Sequence, residues 1–497
     1  MQLLIFLFLP WLLFEAVPET GISAENELGN RIALSFVEPS SFIPSDNQLS
    51  TAQSIGIDLL EISDPSEIGN HPAESFYFLL DGGVRFPTIH KLQSEKSDLA
   101  GELLEKYRSI SDRYPGKIAA FSIFRFPSDQ PEGFLPIASS IADSIQQHIN
   151  IPLFYQSAYP LISEIPDGFN FASSRILGGS ELPPIISQVT FFTPSDYDDI
   201  SLITLQEILN ETLAFENSIV IIPAAWFFEI TERQPDLGLI FADYFEGHEV
   251  TFPLPAKPDP LPALNWSIVL LFVIWGGFFI HYRYQPICLT VSLRYLFNHT
   301  FFVADVMHGR FRNVSAGLIL IGHHAMITGL FLLTAGQYAL TDSGKEVLSA
   351  YFPGMIFSGF ELLSLFVIGV LFSLLLNLFS LSWIYILNKQ IKNFSQVVNL
   401  YSWPLVLNLP VITLIVYLSV LDVSHIWILG SSVVFLLVWF MSFNTAAIAG
   451  VRYLDKYRVL NVFLTIGLHF MFMSAIIVFV IFTPAVLEPL LFAVSIP

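Results

Sequence analysis

Six apolar stretches in the second half of the chain constrain its fold more than any other feature. They lie near 264–282, 315–339, 356–387, 400–421, 426–450 and 460–485. Each has about the 20 residues that a helix needs to cross a bilayer. With 53% hydrophobic residues and a mean hydropathy of +0.61, the chain is also more apolar than a soluble protein. We therefore predict an all-α six-span transmembrane bundle over 264–485 and a C-terminal tail over 486–497, with the lipid bilayer as partner.

Basic residues predict the orientation of these spans, because Lys and Arg are enriched on the cytoplasmic side of membrane proteins. With the N-terminal half outside, nine bases fall in the inner loops, and only Lys345 falls in the outer loops after the first span. The nine are Arg283, Arg294, Arg310, Arg312, Lys389, Lys392, Arg452, Lys456 and Arg458. We therefore expect an extracytoplasmic N-terminal domain and C-terminus, and an interfacial helix within 287–312 on the inner face.

The residues before the first span face a different solvent. Up to residue 262 there are 36 acidic against 12 basic residues, which argues against binding of nucleic acid or anionic lipid. The apolar start "MQLLIFLFLPWLLF" predicts a signal peptide over 1–24, an exported domain over 25–253 and a Pro-rich linker over 254–263. Because Cys288 is the only cysteine, the exported domain has no disulfide and depends on an ordinary hydrophobic core.

The exported domain alternates short β-rich runs with amphipathic helical segments, the pattern of a parallel sheet with crossover helices. The predicted strands are 32–38, 57–62, 76–82, 118–124, 152–158, 169–176, 188–194 and 218–226. Eight such units predict a (β/α)8 TIM-barrel-like fold. An open doubly wound sheet is the alternative, although "FVEPSSFIPS" after the first strand contains no glycine for a phosphate-binding loop.

The segment "RYPGKIAAFSIFRFP" resembles the fourth-strand region of retaining glycoside hydrolases with a (β/α)8 fold. In that family the strand ends in Asn-Glu-Pro, and the Glu is the general acid/base. Alignment on the proline places Arg125 at the Asn position and Phe126 at the Glu position. "SIGIDLLEI" is similar to the family's second strand, and the resemblance implies that Trp226 packs against a sugar.

The departures from this family concern its catalytic carboxylates. Retaining hydrolysis needs two carboxyl groups about 5 Å apart. Phe126 cannot donate a proton, and the predicted end of the seventh strand offers Thr193 where a nucleophilic Glu is expected, with only Asp196 nearby. We therefore expect a barrel without hydrolytic carboxylates and without a cofactor, and we keep a relocated pair, Glu61 with Glu229, as the enzymatic alternative.

The remaining strand-end residues form a candidate ligand-binding mouth. They are Glu38, Glu61, Asp81, Arg125, Phe126, Tyr155, Gln156, Tyr159, Arg175, Trp226 and Glu229. A mouth rich in acids and aromatics favours binding of a glycan or an envelope protein, and simple solvation of the barrel rim is the alternative. Arg125 either clamps an acidic ligand or pairs with Glu61 or Asp81.

Polar residues inside the predicted spans lie at a common depth, roughly 9–15 Å from the inner surface at 1.5 Å per residue. They are His323, His324, Asn377, Asn408, Asn444 and His469. Such a layer favours interhelical hydrogen bonding, and the alternative is a transporter or channel in which the histidines relay protons or bind a metal. A metal site is not expected, because no span has His-x3-His spacing or a carboxylate at this depth.

The last five spans, from about residue 290, are similar in layout to Yip-family membrane domains, and "VRYLDKYRVLNVFLTIGLHF" resembles that family's closing spans. This resemblance implies a structural or trafficking module without catalysis. The sequence thus predicts an integral membrane protein whose glycosidase-like exported domain binds a ligand, with a membrane-anchored glycosidase and a transporter or channel as alternatives.

Overall fold

In the computed structural model, the described residues are 31–37, 42–64, 76–126, 131–158, 167–179, 182, 189–195, 198–215, 218–253, 265–388, 391–421, 423, 425–452 and 458–496. The predicted signal peptide and the predicted linker lie outside them, as do Glu38, Tyr159 and Asp196. The chain divides into two compact units, one up to Pro260 and the other from Leu261 to Ser495.

The N-terminal unit is a closed barrel of eight parallel strands in sequential order. The strands are β1 (Arg31–Ser35), β2 (Leu59–Ile62), β3 (Tyr77–Arg85), β4 (Ile118–Arg125), β5 (Leu153–Ser157), β6 (Phe171–Leu177), β7 (Val189–Thr193) and β8 (Ile219–Pro223). The predicted (β/α)8 fold is confirmed. Pairing of β1 with β8, from Arg31 opposite Ile219 to Ser35 opposite Pro223, excludes the open doubly wound sheet.

In the described part of this unit, six helices accompany the strands: α1 (Asp46–Ile55), α2 (Ile89–Arg113), α3 (Pro131–Gln146), α4 (Asp198–Thr212), α5 (Ala224–Arg233) and α6 (Asp236–Phe245). Residues that alternate along each strand face the helices or the barrel interior. In β2, Leu60 and Ile62 join the hydrophobic core under the helices, so Glu61 between them faces the interior. Polar side chains such as that of Glu61 therefore face the barrel interior near the carboxyl ends of its strands.

The described residues of the C-terminal unit form helices and no strands. Its helices are α7 (Trp266–Tyr284), α8 (Ile287–Phe297), α9 (His299–Met307), α10 (Ser315–Ala339), α11 (Asp342–Tyr351), α12 (Glu361–Leu387), α13 (Phe394–Ser402), α14 (Asn408–Val420), α15 (His425–Val451), α16 (Arg458–Val462), α17 (Leu468–Ile481) and α18 (Pro484–Ser495). A 3-10 turn joins α13 to α14, and a π-helical segment, Phe463–Gly467, joins α16 to α17.

Within the described residues, six helical segments are long and apolar enough to cross a membrane, as the sequence predicts. They are α7, α10, α12, α13 with α14, α15, and α16 with α17. The predicted interfacial segment 287–312 contains α8 and α9, which bend by 118° at their junction. This composition indicates a multi-pass membrane protein.

Helices α10 and α12 come into close backbone contact at two glycines. A Cβ atom on Gly369 would lie 2.8 Å from the Cα atom of Gly329, and one on Gly329 would lie 2.7 Å from the carbonyl oxygen of Phe366. Small residues allow such backbone contact in membrane helices. The pair positions the polar side chains of both helices against one another.

Candidate functional site

Four buried polar residues, the mouth cluster, lie where neighbouring strands end: Glu61 of β2, Asp81 of β3, Arg125 of β4 and Gln156 of β5. Arg125 and Gln156 are directly opposite each other in the strand register. In barrels of this type, functional groups gather at the carboxyl ends of the strands. The sequence predicted all four as candidates, and the structure brings them together.

Arg125 and Glu61 form an ion pair inside the barrel. Arg125 Nη1 lies 3.8 Å from Glu61 Oε2, and their side chains are 1% and 0% exposed. Gln156 Nε2 donates a hydrogen bond to the other oxygen of Glu61, Oε1. Asp81 accepts a hydrogen bond from Ser63 Oγ at 2.9 Å. Of the two roles considered for Arg125, the structure contains the pairing with Glu61.

The mouth cluster holds two carboxyl groups and one guanidinium group. Burial raises the pKa of Glu61 above its usual range; Arg125 opposes the rise and Asp81 adds to it. Glu61 is therefore the group that stays protonated to higher pH than an exposed glutamate.

An aromatic cap of Phe86, Phe126 and Phe191 lies against the mouth cluster. The rings of Phe86 and Phe126 are 6.0 Å apart, and those of Phe126 and Phe191 are 5.8 Å apart. The Arg125 guanidinium carbon lies 5.3 Å from the centre of the Phe126 ring and 4.9 Å from that of Phe191. The charge of Arg125 is thus surrounded by aromatic faces as well as by Glu61.

Phe86 and Phe126 both have a φ of 50°, in the left-handed region that side chains other than glycine rarely adopt. Each follows the last residue of its strand, and both are fully buried. The backbone N–H groups of Phe86 and Phe126 donate to the carbonyl oxygens of Arg125 and Gln156, at 2.8 and 2.7 Å. These bonds and the ring contacts hold a conformation that costs roughly 1–2 kcal/mol per residue.

The other predicted ligand residues lie in different surroundings. Tyr155 packs against Phe134 of α3, on the helix side of the barrel. Trp226 is in the first turn of α5 and donates to Asp198 Oδ1 at 3.1 Å. Arg175 is partly exposed, and its Nε donates to Thr193 Oγ1 at 2.9 Å.

The proposed relocated pair, Glu61 with Glu229, is split between two environments. Glu61 is fully buried, whereas the Glu229 side chain is 60% exposed and pairs with Arg233 on the same helix. Bond cleavage by two carboxyl groups requires that both reach one substrate. Asp81 lies closer to Glu61 and is also buried, at 3% exposure. In the observed conformation Glu61 pairs with Arg125 inside the barrel, and Glu229 lies in different surroundings on the surface.

The membrane unit contains a second buried polar site, the polar network of His324, Ser373, Asn377, Tyr401, Asn408 and Trp439. Asn377 Oδ1 accepts from Tyr401 Oη at 2.6 Å and from Trp439 Nε1 at 3.0 Å. Its Nδ2 therefore faces Ser373 Oγ at 3.1 Å and His324 Nδ1 at 3.4 Å. Asn408 lies on the opposite side of the imidazole, 3.1 Å from Nε2. Five helical elements of the bundle meet in this network.

Three of the six predicted intramembrane residues meet in this network: His324, Asn377 and Asn408. His323 stacks instead on Phe278 and lies beside His281, whose Nε2 is 3.4 Å from Cys288 Sγ. His469 stacks on Phe443 and contacts Ser380 Oγ at 3.2 Å through Nε2. Asn444 is partly buried on α15. The predicted layer is thus divided among separate sites.

Sequence reasoning missed Phe86 and Phe191 of the aromatic cap, Tyr401 and Trp439 of the polar network, and the pairing of His281 with Cys288. Tyr401 and Trp439 each lie within a long apolar stretch. No spacing in the sequence distinguishes them from the other aromatic residues there. Phe86 does have a signal, because "RFP" occurs both at 85–87 and at 125–127. The repeat marks the two strands that end in the same strained conformation.

The chain thus combines a closed eight-stranded parallel barrel with a multi-pass helical membrane unit. Comparisons with protein-family models, with curated proteins and with solved structures find no match.

Proposed function

We propose that the protein is a membrane-anchored binding protein whose glycosidase-like barrel binds a glycan or an envelope protein at its mouth without cleaving it. The observation that carries this proposal is the position and burial of Phe126. It occupies the position of the expected proton donor, is fully buried, and closes over the ion pair of Arg125 and Glu61. In a site arranged in this way, an aromatic ring stands where a hydrolase would have the residue that donates a proton.

We propose that the barrel lies on the extracytoplasmic side and that the signal peptide before it is cleaved. The excess of bases in the inner loops, nine against one, supports this orientation. The similarity in layout to Yip-family domains supports a carrier role for the six spans, which would hold the barrel at the membrane surface. The partner at the mouth is then a component of the cell envelope.

The experiment that tests the proposal uses the full chain in nanodiscs of zwitterionic lipid. A panel of chromogenic glycosides measures turnover, and a glycan array measures binding. We expect binding to at least one glycan and no turnover. Turnover that is abolished by Glu61→Gln but kept by Glu246→Gln, a change at an exposed glutamate, would establish the membrane-anchored glycosidase instead. Retention of an envelope protein and no glycan would identify the ligand as a protein.

A second candidate function concerns the membrane unit, because the polar network joins a buried histidine to asparagines on two other helices. A transporter or channel would use this site for a polar substrate or a proton. In reconstituted vesicles, His324→Ala, His323→Ala and His469→Ala would then change flux while the fold is retained. Equal flux in vesicles with and without the protein would mean that the polar network serves only to pack the helices against one another.

A further inference from the structure

Buried polar atoms that lack a hydrogen-bond partner are confined to one half of the membrane unit. Among the described residues of this unit, nine side chains have such an atom. All nine lie at the end of the bundle that carries α8 and α9, or between that end and about the middle of a span. They are His281, Gln285, Asn388, Asn399, Ser402, Trp403, Asn408, Asn444 and His469. A polar group without a partner is costly in hydrocarbon, so this asymmetry requires an explanation.

Four of these residues follow the fourth span to the point where its helix is broken. They are Asn399 and Ser402 of α13, Trp403 of the 3-10 turn, and Asn408 at the start of α14. All four are buried, at 2% exposure or less. Spacings of three and four residues place the first three on one face of the helix. Pro404 lacks an N–H group and interrupts helical hydrogen bonding there. Non-helical backbone at membrane depth is found where it is buried in protein or lines a water-filled cavity.

This face of α13 leads along α10 to the polar network. A Cβ atom on Gly317 would lie 2.9 Å from Ser402 Oγ, so Ser402 lies directly against α10. His324 is seven residues further along α10, which is two helical turns or roughly 10 Å on the same face. Asn408 contacts His324 Nε2 through Nδ2 at 3.1 Å, while its Oδ1 has no partner among the described residues. The unpartnered groups therefore form a line that ends at the imidazole.

The opposite half of the bundle has a different arrangement. Thr334 Oγ1 of α10 donates to Ser267 Oγ of α7 at 3.2 Å, so the buried hydroxyl groups there bond one another. Between this pair and the polar network, Gly329 and Gly369 bring α10 and α12 into backbone contact. In the described part of that half, no buried side-chain nitrogen or oxygen lacks a partner. One half thus has unmet hydrogen bonds, and the other is closed by packing.

We infer that water enters the membrane unit at the end that carries α8 and α9, follows α13 and reaches His324, while the opposite half stays closed. Water is the ligand that this line of groups fits, because amide, hydroxyl and indole groups each offer it one hydrogen bond and a bound water needs two to four polar partners. This inference rests on the second candidate function, in which the polar network serves transport. It gives that network access from one face of the membrane.

The test measures water access at single positions in the full chain in nanodiscs. Cys288→Ala removes the only cysteine, and Ser402→Cys or Thr334→Cys then places one thiol in each half. Both positions are buried, at 0% and 2% exposure, so burial alone predicts equally slow modification. The probe is 2-sulfonatoethyl methanethiosulfonate, which attacks the thiolate, and a thiol in dry apolar surroundings stays protonated and inert. We expect modification of Ser402→Cys to be about tenfold faster, or more, than that of Thr334→Cys.

Asn399→Cys is the second probe, because Asn399 lies on the same face of α13 and nearer the predicted entrance. It should react at least as fast as Ser402→Cys, and it replaces that variant if Ser402→Cys does not fold. Amide hydrogen exchange of α10, equal in the variants, confirms that labelling does not reflect general unfolding. Equal rates at positions 399, 402 and 334 would overturn the inference.

The labelling result and the flux result are independent. Fast labelling of Ser402→Cys without protein-dependent flux would retain the water path and overturn the transport function. Protein-dependent flux with equal labelling rates in the two halves would retain the transport function and overturn the water path.

Discussion

The two units of the chain bury polar groups of different kinds. The barrel buries charges, with Arg125, Glu61 and Asp81 all at 3% exposure or less. The membrane unit centres its polar network on neutral groups, such as Asn377 and Tyr401. An ion pair in a barrel interior is enclosed by hydrogen-bonding strands and aromatic faces, whereas a charge in the membrane bears the added cost of surrounding hydrocarbon. Each unit therefore buries the kind of polar group that its surroundings tolerate.

The largest expected effect is in the barrel. Arg125→Ala removes one partner of a buried pair and leaves Glu61 and Asp81 without their cation, so we expect a loss of about 3–5 kcal/mol in the free energy of unfolding of the barrel. Amide hydrogen exchange of β2 and β4 in the full chain measures it. Arg233→Ala, at an exposed ion pair, should cost less than about 1 kcal/mol. Similar losses in the free energy of unfolding for the two variants would show that the buried pair contributes no more to stability than the exposed pair.

A smaller effect is expected where α10 meets α12. Gly369→Val places side-chain atoms against the backbone of Gly329 and should destabilise the membrane unit by about 1–3 kcal/mol. Gly430→Val is the control, because nothing lies within 4 Å of a Cβ at that position. Unfolding in mixed detergent measures both changes. A neutral Gly369→Val would mean that the two helices separate at no cost.

In the polar network, His324→Leu removes hydrogen bonds to Asn377 and Asn408. Interhelical hydrogen bonds in membranes average below 1 kcal/mol each, so we expect a loss of about 1–2 kcal/mol in the same assay. Leu378→Ala, on the exposed face of α12, should have a smaller effect. A loss for His324→Leu as large as that for Arg125→Ala would contradict the contrast between neutral and charged burial.

The smallest effect is a pH dependence confined to the barrel. The pKa of Glu61 is raised in the folded state by burial, so protonation favours folding below its unfolded value of about 4.3. That stabilisation is lost as pH rises through the folded pKa, with a limiting slope of about 1.4 kcal/mol per pH unit. Hydrogen exchange of β2 measured across this range should show the slope, and Glu61→Gln should reduce it. An unchanged slope in Glu61→Gln would assign the dependence to another group.

Much of the fold could be predicted from local pattern. Apolar length gave the six spans, and the alternation of β-rich runs with helical segments gave all eight strands. The boundaries were less accurate, since β8 ends at Pro223 and Trp226 already belongs to α5. The pattern could not distinguish the end of a buried strand from the first turn of a buried helix, because both are apolar.

The candidate sites were predicted as sets of residues and not as contacts. The positions of Glu61, Arg125 and Gln156 at strand ends followed from the predicted strands, because parallel strands in a barrel bring those ends together. Their burial beneath Phe126 did not follow, because a strand-end residue can face either the core or an open mouth. The depth estimate placed six intramembrane residues in one layer but could not give their rotation about each helix.

Sequence pattern is enough to predict the two environments of this protein, from the acidic N-terminal half and the apolar C-terminal half, and to predict the eight strands and the six spans. Those properties are sums over many residues, so they survive errors at single positions. Tertiary packing is needed to pair Arg125 with Glu61 under the aromatic cap, and to bring His324 to Asn377 and Asn408 while His323 stacks on Phe278. Such contacts depend on strand register and on helix rotation. A shift of one residue in a strand, or a rotation of about 100° about a helix axis, changes every neighbour of a side chain.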